Sequence, residues 1–186
     1  MDSDFAYLLG AAGDATLTHR KAKGEYCVEY EQKNPAWLLH SIIPRIESAF
    51  GKRVSLKKRK SGLFRVRLYS KAAFRRFYRY KNGPMLILRE SRAAKASFVR
   101  GFFDAEGSAP KRKAGTQYRI QLYQKDRRVL RVISRILKQL GIRTGKMTNS
   151  REIGQLPIRT QENVRKFSGT IGSEHPDKAS ALGDLC

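Results

Sequence analysis

Two acidic residues stand at the ends of two short apolar segments, and their spacing suggests that they act together. Asp14 lies near the end of FAYLLGAAGDATL and Glu106 near the end of SFVRGFFDAEGSA, at an offset of 92 positions (106 minus 14). A helix C-terminus carries partial negative charge, so two converging carboxylates there call for a cation. Oxygen ligands suit Mg²⁺, which keeps waters for substrate and nucleophile. The pattern predicts a metal site between two packed helices.

A second polar constellation recurs at the same offset. Gln32–Lys33 and Gln124–Lys125 end the segments EYCVEYEQKN and QYRIQLYQKD. A lysine can stabilise charge that develops on a phosphate, and a glutamine can orient an attacking water. The alternative interpretation is a polar strand end that leads into a helix. The recurrence favours a catalytic role for both pairs.

The elements that must position these residues also repeat. Helical periodicity predicts amphipathic helices over 35–50 and 126–140, and Pro44 predicts an irregularity in the first. Beyond these helices the halves match at an offset of 90, as Phe77 does with Phe167. An ordered series of matches predicts two related halves.

Each half therefore has an apolar helix, two strands, a longer helix, two more strands and a last helix. Alternating apolar and polar residues predict the strands of the first half, over about 16–23, 25–33, 53–59 and 63–69, with the last helix starting near Ser70. We predict an α+β fold of two pseudo-symmetric αββαββα halves, each a four-stranded antiparallel sheet with helices on one face. The predicted organisation is an N-terminal half over 1–83, a linker and helix start over 84–96, and a C-terminal half over 97–186.

The charge favours a polyanionic partner. Thirty-nine Lys and Arg against 16 Asp and Glu give a net charge of +23, and each cation set on a phosphate releases counterions. No run of 18 apolar residues occurs, and the acidic start is unlike a secretory signal. Cys27 and Cys186 are too few and too far apart for a disulfide framework or a zinc site. We expect a reducing intracellular compartment, the cytoplasm of a prokaryote or an organelle.

The free face of each sheet should carry the nucleic-acid contacts. Arg and Gln side chains on a sheet in the major groove can reach base edges, Glu can accept from cytosine, and loop lysines can hold phosphates. The candidates in the first half are Arg20, Lys21, Lys23, Glu29, Glu31, Lys57, Arg65 and Arg67. Those in the second half are Lys111, Arg112, Lys113, Arg119, Gln121 and Arg143.

These motifs carry a family resemblance. FVRGFFDAEGSA resembles the signature helix of the LAGLIDADG homing endonucleases, with matching residues at Gly101, Asp104, Ala105, Glu106 and Gly107. YLLGAAGDATL resembles the first signature of the two-motif, single-chain members. The resemblance implies that the signature helices form the interface between the halves and that the two sheets make a saddle over DNA. It further implies an intron-encoded, monomeric, site-specific enzyme that hydrolyses both strands of a long asymmetric site and leaves 3′ overhangs.

The resemblance also assigns site residues. Mg²⁺, with Mn²⁺ or Ca²⁺ as alternative occupants, would be held by Asp14 and Glu106 together with Gly13 and Ala105 beside them. Lys71 resembles a basic residue near the family's active site, although its counterpart in the second half is a glutamine.

The first motif departs from the family pattern and allows two alignments. Anchoring on Gly10 as the motif glycine puts Ala15 at the acidic position and leaves that half without a ligand. Anchoring on Asp14 puts Leu9 at the glycine position and Ala12 where the first aspartate stands. We prefer the second alignment, because it keeps the offset of 92. A misplaced acid would make the protein a nickase or a splicing helper.

Two other classes of protein fit parts of the sequence. One is an RNA maturase that binds intron RNA, or a cleavage-deficient DNA-binding protein, of the same fold. The other is a basic ribonucleoprotein component of unrelated fold, which has no reason to repeat an acid-ended apolar helix. Two acids in register favour the nuclease.

Overall fold

The computed structural model describes residues 1–109 and 118–184, with the side chain of Asp14 excepted. It contains two four-stranded antiparallel sheets, each followed by helices that cover one face. Strand order is β1-β2-β4-β3 in the first sheet and β5-β6-β8-β7 in the second. The predicted α+β fold of two pseudo-symmetric halves is therefore confirmed.

The elements of the first half are α1 (Ser3–Gly10), β1 (Ala15–Arg20), β2 (Glu25–Gln32), α2 (Pro35–Trp37), α3 (Ile43–Phe50), β3 (Leu56–Lys58), β4 (Phe64–Tyr69) and α4 (Lys71–Asn82). Those of the second half are α5 (Arg92–Glu106), β5 (Gly107–Ser108), β6 (Arg119–Gln124), α6 (Arg127–Gln139), β7 (Thr148–Ser150), β8 (Ile153–Arg159), α7 (Gln161–Thr170) and α8 (Pro176–Gly183). Short 3₁₀ segments lie at Ala11–Asp14, Lys21–Lys23 and Pro84–Arg89.

The helix between β2 and β3 has the predicted irregularity. A π-helical turn, Leu38–Ile42, separates α2 from α3. Pro44 stands at the start of α3 and has no N–H to donate back into the preceding turn.

Two strands are shorter than predicted. β1 ends at Arg20 because residues 21–23 form a 3₁₀ turn, which Gly24 closes with a φ of +58°. That left-handed conformation suits glycine, which has no Cβ to clash. β3 covers only residues 56–58, so most of the predicted strand over 53–59 is an irregular approach to the sheet.

Burial along the strands follows the predicted alternation. Val28 and Tyr30 of β2 are fully buried, whereas Glu29 between them faces outward and is partly exposed. Cys27 also lies on the outer face but is 7% exposed, since neighbouring side chains cover it. One face of each sheet thus packs on helices and the other is polar. Among the described residues, none of the helices has the length and apolar character needed to cross a membrane.

Candidate active site

The two motif helices, α1 and α5, cross at two glycines. A methyl group on Gly10 would clash with the carbonyl oxygen of Phe98, and one on Gly101 would clash with that of Tyr7. Each glycine therefore lets the backbone of the other helix approach to contact. The two contacts mirror each other, which makes Gly10 the counterpart of Gly101.

This contact corrects the alignment of the first motif. We expected Leu9 at the glycine position, but Gly10 occupies it, and Leu9 is a buried core residue. The reason is steric, because a leucine cannot stand where two backbones meet. The strands that follow the motifs keep the offset of 92. Ala15 pairs with Tyr30 in the first sheet, and Gly107 pairs with Leu122, each 92 positions later, in the second sheet.

Glu106 ends α5 with its side chain against the first motif. A methyl group on Gly13 would lie 2.7 Å from Oε1 of Glu106, so the absence of a side chain at this glycine makes room for the carboxylate. Asp14 is the next residue and closes the 3₁₀ segment; its side chain lies outside the described part of the structure. The ends of the two motifs therefore meet, as predicted.

The composition of this site suits a hard divalent cation. The Glu106 carboxylate supplies oxygen ligands, which Mg²⁺ accepts. Among the described side chains, which leave out that of Asp14, no cluster of three or more histidine, cysteine or acidic groups could hold a metal ion.

Lys178 of α8 is a functional candidate that the sequence did not indicate. Its Nζ donates to the carbonyl oxygens of Phe103, Asp104 and Ala105, at 3.0, 2.6 and 3.3 Å. A cation at this place offsets the negative end of α5. The carbonyl of Ala105, which we predicted as a metal ligand, is thus also engaged by an ammonium group. Lys178 is more than 70 residues from α5 in sequence, so no local pattern could have revealed the contact.

Asp104, the other motif acid of α5, has a different role. It is fully buried and accepts hydrogen bonds from Tyr7 Oη at 2.5 Å, from Ser173 Oγ and from the N–H of Glu174 at 3.0 Å. Trp37 Nε1 donates to Tyr7 Oη at 2.8 Å. Burial raises the pKa of Asp104, and the hydrogen bonds oppose that rise. These five residues, which we call the polar lock, tie α5 to both α1 and the C-terminal segment.

The two Gln–Lys pairs have the same local geometry. The backbone N–H of Lys33 donates to Oε1 of Gln32 at 2.8 Å, and that of Lys125 donates to Oε1 of Gln124 at 2.8 Å. In each pair the glutamine is the last residue of the second strand of its half and the lysine follows it, and Gln124 lines the same cavity as Gly13. A catalytic role for both pairs stays a prediction.

The assignment of Lys71 to the active site needs correction. Its Nζ lies 5.5 Å from the ring centre of Tyr26, at the start of β2. Gln32 ends that strand six residues later, about 20 Å away at the usual rise. Lys71 is far from the motif acids because β4, which precedes it, runs antiparallel to β2 and ends beside the start of that strand.

The outer face of the first sheet is a network of paired charges. Glu29 bonds to Arg67 and lies 3.9 Å from Arg65, and Glu31 bonds to Arg59 at 2.5 Å. The hydrogen bond that Arg67 donates to the Glu29 carboxylate raises the pKa of Arg67. Both predicted acids therefore hold arginines in place on this face. The remaining predicted cations of this half are exposed, namely Arg20, Lys21, Lys23 and Lys57.

The outer face of the second sheet is built from amides. Arg119 Nε donates to Gln121 Oε1 at 2.8 Å, and Gln121 Nε2 donates to Gln155 Oε1 at 3.2 Å. Gln155 and Arg159 share this face but were not predicted, although the alternation of IGQLPIR indicates them. Arg143 is exposed in the loop before β7. The predicted contacts Lys111, Arg112 and Lys113 lie outside the described residues.

Comparisons with known proteins agree with this architecture. Residues 93–172 match the model of a family described as LAGLIDADG-like domain. Homing endonuclease I-ApeI of Aeropyrum pernix is 27% identical over 200 residues, covering 96% of this chain and 85% of that protein. The crystal structure of I-DmoI in complex with DNA and Mn has a TM-score of 0.73 and 23% identity, covering 93% of this chain and 98% of that one. The N-terminal LAGLIDADG domain of DUF199/WhiA has a TM-score of 0.66 and 17% identity, covering 94% and 84%.

Proposed function

We propose that this chain is a member of the LAGLIDADG family and a site-specific endonuclease that hydrolyses both strands of duplex DNA. The observation that carries the proposal is the meeting of the two motif ends, where Glu106 lies against Gly13, the residue before Asp14. Each half would supply one acid to the centre. Because one chain carries both motifs, we propose that the enzyme acts as a monomer, and the family resemblance implies that it leaves 3′ overhangs.

The reaction uses a divalent cation, for which we propose Mg²⁺. Asp14 and Glu106 would hold it, with the carbonyl of Gly13 and with water. When bound, it would neutralise charge on the scissile phosphate and promote ionisation of the attacking water.

The Gln–Lys pairs act beside this centre. The backbone N–H of each lysine donates to the amide oxygen of the preceding glutamine, and the glutamine side chain would orient the attacking water. The ammonium groups of Lys33 and Lys125 would meet the negative charge that develops on the phosphates. One pair stands near each motif, so each would serve one strand.

DNA would bind across the two outer sheet faces. A net charge of +23 supplies the phosphate contacts and makes affinity strongly dependent on salt. The two faces carry different groups, Glu–Arg pairs in the first half and bonded glutamines in the second. An asymmetric target follows from that difference, because unlike faces read unlike half-sites.

The test is cleavage of a randomised duplex library with Mg²⁺ and with EDTA, reading the ends of the products. Wild-type protein is expected to cut one long site with 3′ overhangs only when Mg²⁺ is present. Asp14→Asn and Glu106→Gln should each reduce double-strand cleavage at least 100-fold, about the scale of a lost transition-state contact, with little loss of DNA affinity. Glu47→Gln, an exposed acid on α3, is the matched control and should cut normally.

Two outcomes would contradict this assignment. Normal cleavage by either motif variant would remove that acid from the metal site. Tight, salt-sensitive binding of structured RNA with no cleavage of any duplex would point to a maturase of the same fold.

A further inference from the structure

The first motif is one residue shorter than the second between the helix crossing and the acid. Four positions separate Gly10 from Asp14, whereas five separate Gly101 from Glu106. The glycine contacts match at an offset of 91, and the strands that follow match at 92. The first motif therefore has one residue fewer between the helix crossing and the following strand, although the crossing and the strand each have an equivalent in the second half.

The backbone winds differently over these two stretches. The N–H of Ala15 bonds to the carbonyl of Ala12, three residues back, as in a 3₁₀ helix. The N–H of Gly107, its counterpart by strand register, bonds to the carbonyl of Phe103, four residues back, as in an α-helix. The difference begins at the crossing, since the N–H of Ala11 still bonds to the carbonyl of Tyr7.

The change of winding makes up for the missing residue. Four residues of 3₁₀ helix rise about 8 Å and turn about 480°. Five residues of α-helix rise about 7.5 Å and turn about 500°. Both paths therefore end within about 1 Å and 20° of each other. Three of the four residues of the segment, Ala11, Ala12 and Gly13, are small, which suits a winding that stacks side chains three apart.

We propose that the 3₁₀ segment Ala11–Asp14 replaces the missing residue and brings Asp14 to the place that mirrors Glu106. The shortened motif is then a complete half-site, and the protein cuts both strands at comparable rates. The part of this inference that concerns cleavage rests on the proposed nuclease function. The part that concerns winding does not.

The test is a matched pair of single-residue insertions. An extra alanine between Ala11 and Ala12 restores the longer spacing, so the segment should rewind as an α-helix with both ends in place. We expect the melting temperature to stay within about 3 °C of wild type and both strands to be cut within about threefold of the wild-type rate. Cleavage is followed on a duplex with a different label on each strand.

The matched insertion is an extra alanine between Phe102 and Phe103 in the second motif. Here the helix is already α-helical, so the insertion rotates Asp104 and Glu106 by about 100°. We expect the melting temperature to fall by more than about 10 °C, or cleavage of both strands to be lost where the fold survives.

The two insertions distinguish a failure of the winding inference from a failure of the proposed nuclease function. The inference is overturned if the first insertion destabilises the protein as much as the second. It is also overturned if the first insertion leaves a stable protein that cuts one strand only. If wild-type protein cuts no duplex under any condition, the proposed function fails, while the melting temperatures of the pair still decide whether the segment can rewind.

Discussion

The two flanks of the crossed motif helices differ in kind, although a pseudo-twofold axis relates them. On one flank the polar lock fills the space, with Asp104 at its centre. On the other lies a mostly apolar cavity of about 180 Å³, whose lining includes Ala12, Pro84, Ile87, Phe98, Phe102 and Val129. The same scaffold thus closes one flank with hydrogen bonds and leaves the other partly empty.

The repeat relates the two flanks residue by residue. Ala12 stands where Asp104 does, at an offset of 92, and Phe98 stands where Tyr7 does, at the helix offset of 91. Val129 likewise takes the place of Trp37. Three polar members of the lock, Asp104, Tyr7 and Trp37, therefore have apolar counterparts in the other half.

The comparison shows the polar groups of the lock together on one flank and apolar residues at the matching positions of the other, as expected when buried donors need their acceptors. A tyrosine hydroxyl or an indole N–H left without its partner would cost about 1–3 kcal/mol each. Ala12 offers no acceptor for such donors, and the apolar residues around it avoid that cost. The asymmetry therefore concerns how the two flanks of the crossed helices are stabilised.

Breaking the lock should give the largest effect on stability. Asp104→Ala leaves the donors of Tyr7, Ser173 and Glu174 without their acceptor, and we expect a loss of about 4 kcal/mol in the free energy of unfolding. Urea denaturation measures it. Asp177→Ala removes a nearby exposed acid and should change little. An Asp104 variant as stable as wild type would mean that the lock contributes nothing.

Polar and apolar substitutions of Ala12 in the cavity should change the free energy of unfolding by smaller amounts and in opposite directions. Ala12→Asp places a carboxylate against apolar side chains and is expected to cost about 2 kcal/mol. Ala12→Val adds an apolar side chain closer in size to aspartate and partly fills the cavity, and we expect a gain of about 1 kcal/mol. Thermal unfolding of the two variants side by side separates polarity from volume. Equal shifts of both would show that only space matters at this position.

The smallest expected effect is a pH dependence of stability that arises at His175, next to the polar lock. His175 follows Glu174 and is 6% exposed, and burial, aided by the charge of Lys178, lowers its pKa below the ordinary 6.5. The folded state therefore favours neutral imidazole, so this contribution to stability is present above pH 6.5 and is lost as the pH falls below it. Against His175→Gln, wild type should lose relative stability between pH 7 and pH 5. A pH-independent difference in melting temperature would contradict this.

Much of the fold could be predicted because the decisive patterns are local. Alternation assigns the buried and outer faces of β2 and β4, and helical periodicity assigns 35–50 and 126–140. The repeat then fixes the number and order of the elements in both halves. Even the π-helical turn had a local cause in Pro44. These features depend on residues within one or two turns of each other.

The errors arose where distant parts of the chain meet. Lys71 was misplaced because the direction of β4, and not the sequence around the lysine, decides which end of the sheet it joins. Lys178 was missed because it contacts the end of α5 across more than 70 residues of sequence, and no local pattern indicates that contact.

The sequence by itself determined that the chain has two related halves, that each motif ends in an acid and that the outer faces are basic and polar. Only the tertiary structure decided which residue of the first motif meets the partner helix. A short run of alanine and glycine can wind as α- or 3₁₀-helix at little difference in energy, so its local sequence does not choose. Close approach of two backbones does choose, because it admits Gly10 and excludes Leu9, and the winding of residues 11–14 follows from that contact.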